Sequence, residues 1–505
     1  MNRQNEMRHS NARTRIRRGG ALASVGALAM ALTGCVGATT APVTPGQAPT
    51  MSSAERQQGA QAHPQLLAEF GGAYSGPQAN YVERVGKRIA MQSGLANASD
   101  AYTVTLLNSN VNNAFAIPGG YIYTTRQLVA LMDNEAELAG VLGHEVGHVA
   151  ARHSQQRQQA AQQNSILGAV GAILSGVLLG DSALGQAGQK LAMQGSQLLT
   201  LKYSRSQESQ ADDLGIAYLS GAGYDPIAMS TVLQSLAQQN ALDAQMMGSS
   251  NQVPEWASTH PDPASRVSAA RQDAQGMPGT TLNRDAFLTA IDGMMYGDDP
   301  QQGIVDGGSF IHPVMRFAFQ APNGYFLVNG TQAVSISGQS GKGQLTSRAY
   351  SGNLDSYVSA AFADVTGDSQ QQIQPSSVSK TTVNGLPAAY GTARVNSGNG
   401  QVDVTVFAYE LSSSQAVHFV TITQAGNAGI FNSMYSSMRR ISASEASAVK
   451  ARKIDVITVR SGDTLQGIAN RMAYDDYKLE RFLVLNSLTT NSTLQAGQKV
   501  KIVTY

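Results

Sequence analysis

Residues 144–148 read His144-Glu145-Val146-Gly147-His148, and this H-E-x-x-H run constrains the chain more than any other five residues in it. Side chains four residues apart on an α-helix lie about 40° apart around the axis, so both imidazoles can turn a nitrogen toward one metal ion. Glu145 sits one step round, where a carboxylate can polarise a metal-bound water and accept its proton. The flanking residues have helical spacing. Within residues 136–149 (AELAGVLGHEVGHV), Leu138, Val141, Leu142, Val146 and Val149 are available for a buried face. Gly140, Gly143 and Gly147 would each weaken an exposed helix by up to roughly 1 kcal/mol relative to alanine, so they point to close packing or to room around a metal.

A catalytic zinc takes three protein ligands and keeps one position open, so a third ligand is expected downstream. Glu208 is the candidate. It opens residues 208–215 (ESQADDLG), where Glu208 and Asp212 stand four apart and share one face of a predicted helix. In this reading Glu208 binds zinc and Asp212 accepts a hydrogen bond from a ligand histidine, fixing its tautomer. His153 falls nine residues after His144, about 180° round if the helix continues, and is read as a surface or packing residue. His260 heads residues 260–266 (HPDPASR), where the prolines hold an extended turn before a new helix. His260 and Arg266 so presented are placed either to stabilise a tetrahedral oxyanion or to hold a carboxylate.

These elements resemble the HtpX-like and BepA-like zinc metalloproteases, relatives of the CAAX prenyl proteases. The resemblance runs over about residues 65–275 and rests on four ordered elements: residues 113–123 (NAFAIPGGYIY), H-E-x-x-H at 144–148, E-x-x-x-D at 208–212, and His260 to Arg266. It implies zinc at His144, His148 and Glu208, with Glu145 as general base and acid. It also implies that Asn113, Ala114, Phe115 and Ala116 form an edge strand on which an extended substrate is laid by strand addition, and Arg266 is read with them as a substrate-binding residue. His260 then either assists the transition state or occupies the open metal position and silences the site.

The N-terminal end carries Arg3, Arg8, Arg13, Arg15, Arg17 and Arg18, then an apolar run from Ala21 to Leu32 that is too short to span a bilayer. This reads as a signal peptide over residues 1–34. It ends in Leu32-Thr33-Gly34-Cys35, which resembles the bacterial lipoprotein box and implies cleavage before Cys35 and its lipidation. Cys35 is the sole cysteine, so no intrachain disulfide forms. Val36, by analogy with enteric bacteria, favours the inner leaflet of the outer membrane over the inner membrane. Without residues 1–34 the chain has 29 basic and 33 acidic residues, a formal charge of −4 that offers nothing to nucleic acid. Residues 35–62, rich in Thr, Pro, Ala, Gly and Gln, read as a flexible tether. Residues 166–180 (ILGAVGAILSGVLLG), short for a bilayer, read as a buried or membrane-facing hairpin over the cleft.

From about Phe310 to Ile441 the pattern changes to short alternating runs such as residues 402–409 (VDVTVFAY), separated by Gly, Asn and Ser turns, with one helix-like segment near Ile430 to Met438. At the C-terminal end, residues 457–469 (ITVRSGDTLQGIA), 483–488 (LVLNSL) and 494–503 (LQAGQKVKIV) resemble a LysM module, which implies a β-α-α-β fold and a glycan groove beside Gly462 to Leu465 and after Asn486. The expected architecture is multidomain: a mainly α (α+β) zincin domain over 63–295, an antiparallel-sheet α+β domain over 303–447, and a small LysM-like domain over 453–505. The expected function is zinc-dependent endopeptidase activity on misfolded or misassembled envelope proteins, in the periplasm and lipid-anchored. The alternatives are an outer-membrane assembly chaperone with a latched zinc site, or a peptidoglycan-binding protein.

Overall fold

The computed structural model describes residues 43–156, 203–246, 260, 263–366, 373–397 and 400–505. The signal peptide, Cys35 and the apolar stretch 166–180 lie outside the described residues.

The first helix, α1 (Ser53–Glu69), starts where Ser52 and Glu55 form a capping box. It lies against the turn at Pro118, because Gly59 has no Cβ to strike the Pro118 carbonyl or the Tyr121 ring. The tether expected as far as residue 62 is therefore shorter. Ordered backbone already runs through Ala48 and Met51, whose N–H groups donate to Ser93 and Leu95. Pro77 opens α2 (Pro77–Ala90), which buries Tyr81, Val82, Val85 and Ile89 along one face. A small sheet follows: β1 (Thr103–Leu107), β2 (Ala114–Ile117) and β3 (Tyr121–Thr125), with β3 in the centre, parallel to β1 and antiparallel to β2. β2 is thus an edge strand, packed against the metal-site helix.

After the short α3 (Arg126–Leu131) comes α4 (Glu135–Ala150), N-capped by the Asn134 side chain and buried almost throughout. It packs along α5 (Arg205–Gly221). The approach of the two helices depends on glycine: a Cβ on Gly147 would lie 3.1 Å from the Ala211 carbonyl, and one on Gly215 would lie 3.0 Å from the His144 nitrogen. Of the two readings open for these glycines, close packing is the one observed. The helices α6 (Ala228–Met246), α7 (Pro263–Ala274) and α8 (Arg284–Ile291) complete this helical domain, and β4 (Met295–Tyr296) leaves it.

The middle domain is antiparallel. β5 (Ile304–Asp306), β6 (Ser309–His312) and β7 (Phe317–Gln320) form a small sheet that β15 (Arg439–Arg440) completes. A seven-stranded sheet has the order β11-β12-β13-β14-β10-β9-β8, built from β8 (Phe326–Asn329), β9 (Val334–Gly338), β10 (Gly341–Ser347), β11 (Ser379–Val383), β12 (Leu386–Ser397), β13 (Gly400–Ser412) and β14 (Gln415–Gln424). One core includes Phe310, Phe319, Phe419 and Tyr435; the other joins Tyr357, Val358, Ala361 and Phe362 to Val404 and Val406. These last aromatic and apolar residues belong to α9 (Leu354–Thr366), a helix that the strand-like reading of this region passes over. Its start was marked by Asn353, whose Oδ1 accepts from the Ser356 N–H at 3.0 Å. The segment expected near Ile430 to Met438 is α10 (Asn432–Ser437), and α11 (Ala443–Ala448) follows it.

The C-terminal domain is β16 (Arg452–Thr458), α12 (Leu465–Ala469), α13 (Lys478–Leu485) and β17 (Lys499–Thr504), a β-α-α-β unit. It is joined to the helical domain by more than its linker. β16 pairs with β4, and Lys501, fully buried, donates to the carbonyls of Ala130 and Met132 at 2.9 and 2.5 Å and lies 3.1 Å from Asp133. Among the described residues no helix is long and apolar enough to cross a membrane.

Candidate metal centre

The N-cap at Asn134 and the glycine-lined contact with α5 hold the second half of α4 in the interior, where His144, Glu145 and His148 are all buried. A capping box between Ser204 and Gln207 starts α5 so that Glu208, one residue later, points at them. His144 Nε2 lies 3.0 Å from His148 Nε2, and His148 Nε2 lies 3.3 Å from Glu208 Oε1. His260 Nδ1 lies 3.0 Å from the same Glu208 oxygen and 3.3 Å from His144 Nε2. One donor atom from each of these four residues lies within 4.8 Å of every other.

This donor set fits zinc. Tetrahedral ligands at 2.0–2.2 Å from a zinc ion lie roughly 3.3–3.5 Å from one another, close to the spacings observed. The electrostatics agree, since lone pairs of three imidazoles and a carboxylate converging in a buried space repel unless a cation lies between them. Around Glu208, burial works against ionisation, but the three imidazoles outweigh it and hold its carboxyl well below the usual range. Burial drives the pKa values of His148 and His260 down, which favours the neutral, metal-binding form.

Behind the donors, Asp212 Oδ1 accepts from His144 Nδ1 at 2.9 Å, leaving Nε2 for the metal. Arg266, the expected substrate contact, spends its donors elsewhere. Its Nε and Nη2 donate to the two Asp212 oxygens at 2.7 and 2.5 Å, and its Nη1 donates to Glu208 Oε2. It holds protein carboxylates in place. Burial opposes ionisation of Asp212, yet His144 and the Arg266 guanidinium keep its pKa below the ordinary value. His260 reaches Glu145 as well, with Nε2 3.6 Å from Oε1.

Of the two sequence readings of His153, surface or packing, the structure shows packing, by a route the unbroken-helix argument does not give. The helix ends at Ala150, Arg152 takes a left-handed φ of 54°, and the chain doubles back instead of carrying His153 another turn away. His153 is fully buried, with Nδ1 2.8 Å from His148 Nδ1 and Nε2 2.9 Å from Gln210 Oε1. Tyr203 was also missed: its ring stacks on His148, centroids 3.7 Å apart and planes 13° apart. No motif marked it. On the expected substrate strand, Asn113 donates its backbone N–H to Thr125 Oγ1, and among the described residues the Ala114–Ile117 backbone pairs with β3 on one side only. The Phe115 ring packs between Phe70 and Tyr123, and the whole strand is buried.

A buried H-E-x-x-H helix, joined by a glutamate from α5 with an aspartate four residues on, defines a zinc metallopeptidase domain. Residues 77–274 match the family described as Peptidase family M48, and residues 457–503 match the LysM domain, so the chain carries an M48 peptidase domain and a LysM domain. It is 35% identical over 229 residues to the beta-barrel assembly-enhancing protease of Yersinia pestis, covering 43% of this chain and 44% of that protein. It is 29% identical over 235 residues to the mitochondrial metalloendopeptidase OMA1 of Schizosaccharomyces pombe, covering 46% and 63%. Over 129 residues it is 34% identical to the metalloprotease LoiP of Escherichia coli K12, covering 25% and 48%. The chain thus spans about half the length of these relatives.

Proposed function

We propose that the chain is a zinc-dependent endopeptidase of the bacterial envelope, acting on misfolded or misassembled proteins. The observation that carries this is the convergence of His144, His148 and Glu208 on one buried point, with Glu145 beside it. Zinc held there supplies Lewis-acid polarisation of a carbonyl and acidification of water. Glu145 takes the proton of the attacking water and returns it to the departing amide nitrogen. Asp212 keeps His144 in the tautomer that presents Nε2, and Arg266 fixes Asp212 and Glu208. The one-sided edge of β2 aligns an extended peptide through its main chain, which suits unfolded segments of any sequence. Export and lipidation at Cys35 rest on the sequence Leu32-Thr33-Gly34-Cys35.

A second reading, a latched centre, is favoured by His260, whose Nδ1 occupies the fourth donor position. In that state the protein acts in assembly without cleaving until the 260–266 segment moves. Peptidoglycan is the proposed ligand of the LysM domain, where residues 460–462 and 489–491 are exposed. The test is metal removal and return. The chelated full chain should lose cleavage of an unfolded protein and recover it with one equivalent of zinc; cleavage that survives chelation refutes the reading.

A further inference from the structure

The two histidines of the H-E-x-x-H run are held from behind by different chemistry. His144 Nδ1 meets a carboxylate, but His148 Nδ1 meets another imidazole, His153, at 2.8 Å. A nitrogen–nitrogen hydrogen bond needs one N–H and one lone pair. His148 presents Nε2 to Glu208 and His144, so in the metal-binding tautomer its proton is on Nδ1 and it is the donor. His153 Nδ1 is then the acceptor, and its proton is on Nε2. The Gln210 Oε1 that Nε2 faces at 2.9 Å can only accept, which agrees with that assignment.

We propose that His153 is a positioning residue: a neutral, Nε2-protonated imidazole that accepts from His148 and fixes the tautomer and ring plane of that ligand. This rests on the reading of His144, His148 and Glu208 as zinc ligands. The left-handed Arg152 is what brings His153 back to its partner, and Arg152 is itself tied down, its Nε 3.3 Å from Glu55 Oε1 on α1. Gln210 lies between Glu208 and Asp212 in the chain, so α5 supplies one ligand and supports both histidines, His144 directly and His148 through His153. Tyr203 covers one face of the His148 ring, leaving that ring bounded on its face and at its Nδ1 edge. A neutral imidazole draws less electron density toward the metal than a carboxylate behind the ring does. His148 is therefore the weaker base of the pair.

Zinc affinity of the full chain, measured by competition with a chromophoric chelator, reads this without recourse to activity. His153→Leu fills the space but accepts nothing, and should weaken zinc binding about 10–100-fold. His153→Asn places an amide oxygen near the position of Nδ1 and should restore most of that loss. Unchanged affinity in the leucine variant, or an equal loss in both, overturns the proposal. A wild-type chain that binds no zinc instead refutes the metal-site reading itself. Should the leucine variant fail to fold, long-range proton–nitrogen correlation on histidine-labelled wild-type protein decides: His148 protonated at Nδ1 and His153 at Nε2 is expected. A His153 protonated at Nδ1 overturns it.

Discussion

At the residue scale, spacing carried most of the site. His144 and His148 four apart, and Glu208 and Asp212 four apart, are pairs that a helix alone places on common faces, and the structure brings the first three to one buried point with Asp212 behind His144. His153 is packed, one of the two readings its sequence position left open, but its contact with His148 was not legible, because the angular argument presumes an unbroken helix and a left-handed arginine announces itself in no pattern. Of the roles read for Arg266, holding a carboxylate is the one seen, but the carboxylates are Asp212 and Glu208 and not a substrate's, because a buried guanidinium is claimed by whichever carboxylates lie nearest, which only the fold decides. Two consequences are measurable. Asp212→Leu should reduce zinc affinity about 10–100-fold by chelator competition, since it removes the acceptor behind His144 and the partner of Arg266. His260→Ala should raise the initial rate of cleavage of an unfolded protein if His260 is a latch; a lower rate makes it a transition-state helper.

At the element scale, the two helices of the site meet through glycine, and the balance of two effects sets the outcome of filling that contact. Gly147→Ala gains at most roughly 1 kcal/mol of helix propensity. It also sets a methyl 3.1 Å from the Ala211 carbonyl and 3.2 Å from the Leu214 Cβ, against a packed helix with nowhere to retreat, an overpacking cost of about 1–3 kcal/mol. A lower urea midpoint is therefore expected, where an ordinary helical glycine would give a higher one. The sheet domain has its own acid sensitivity. Burial pushes His418, bonded to Tyr357 of α9, down to about 4. Its folded-state value lies below the unfolded one, so its contribution is present above about pH 6.5 and is lost as the pH falls toward 4. Unfolding of this domain, followed by tyrosine fluorescence, should shift to lower urea across that window. α9 itself went unread because Tyr357, Val358 and Phe362 have high strand propensity in isolation, and only their one-sided burial with Ala361 makes them a helix face.

At the scale of the whole molecule, the order of domains was legible from changes of hydrophobic period, but their contacts were not. Nothing in residues 494–503 marks Lys501 as the side chain that enters the helical domain, caps the Ala130 and Met132 carbonyls at the end of α3 and approaches Asp133 just before the metal-site helix. The LysM domain is accordingly a buttress as well as a candidate glycan binder. Deleting residues 453–505 should lower the thermal midpoint of the peptidase domain by several degrees, since it strips a strand partner from β4 and leaves polar groups around Asp133 without Lys501. A midpoint that does not move would make the module a pendant one. The central claim, that zinc and Glu145 together hydrolyse peptide bonds, is tested most directly by Glu145→Gln in the full chain, with metal content and cleavage of an unfolded protein measured on the same sample. The account predicts one zinc per chain with the rate down about 10²-fold or more; zinc retained with the rate undiminished would contradict it.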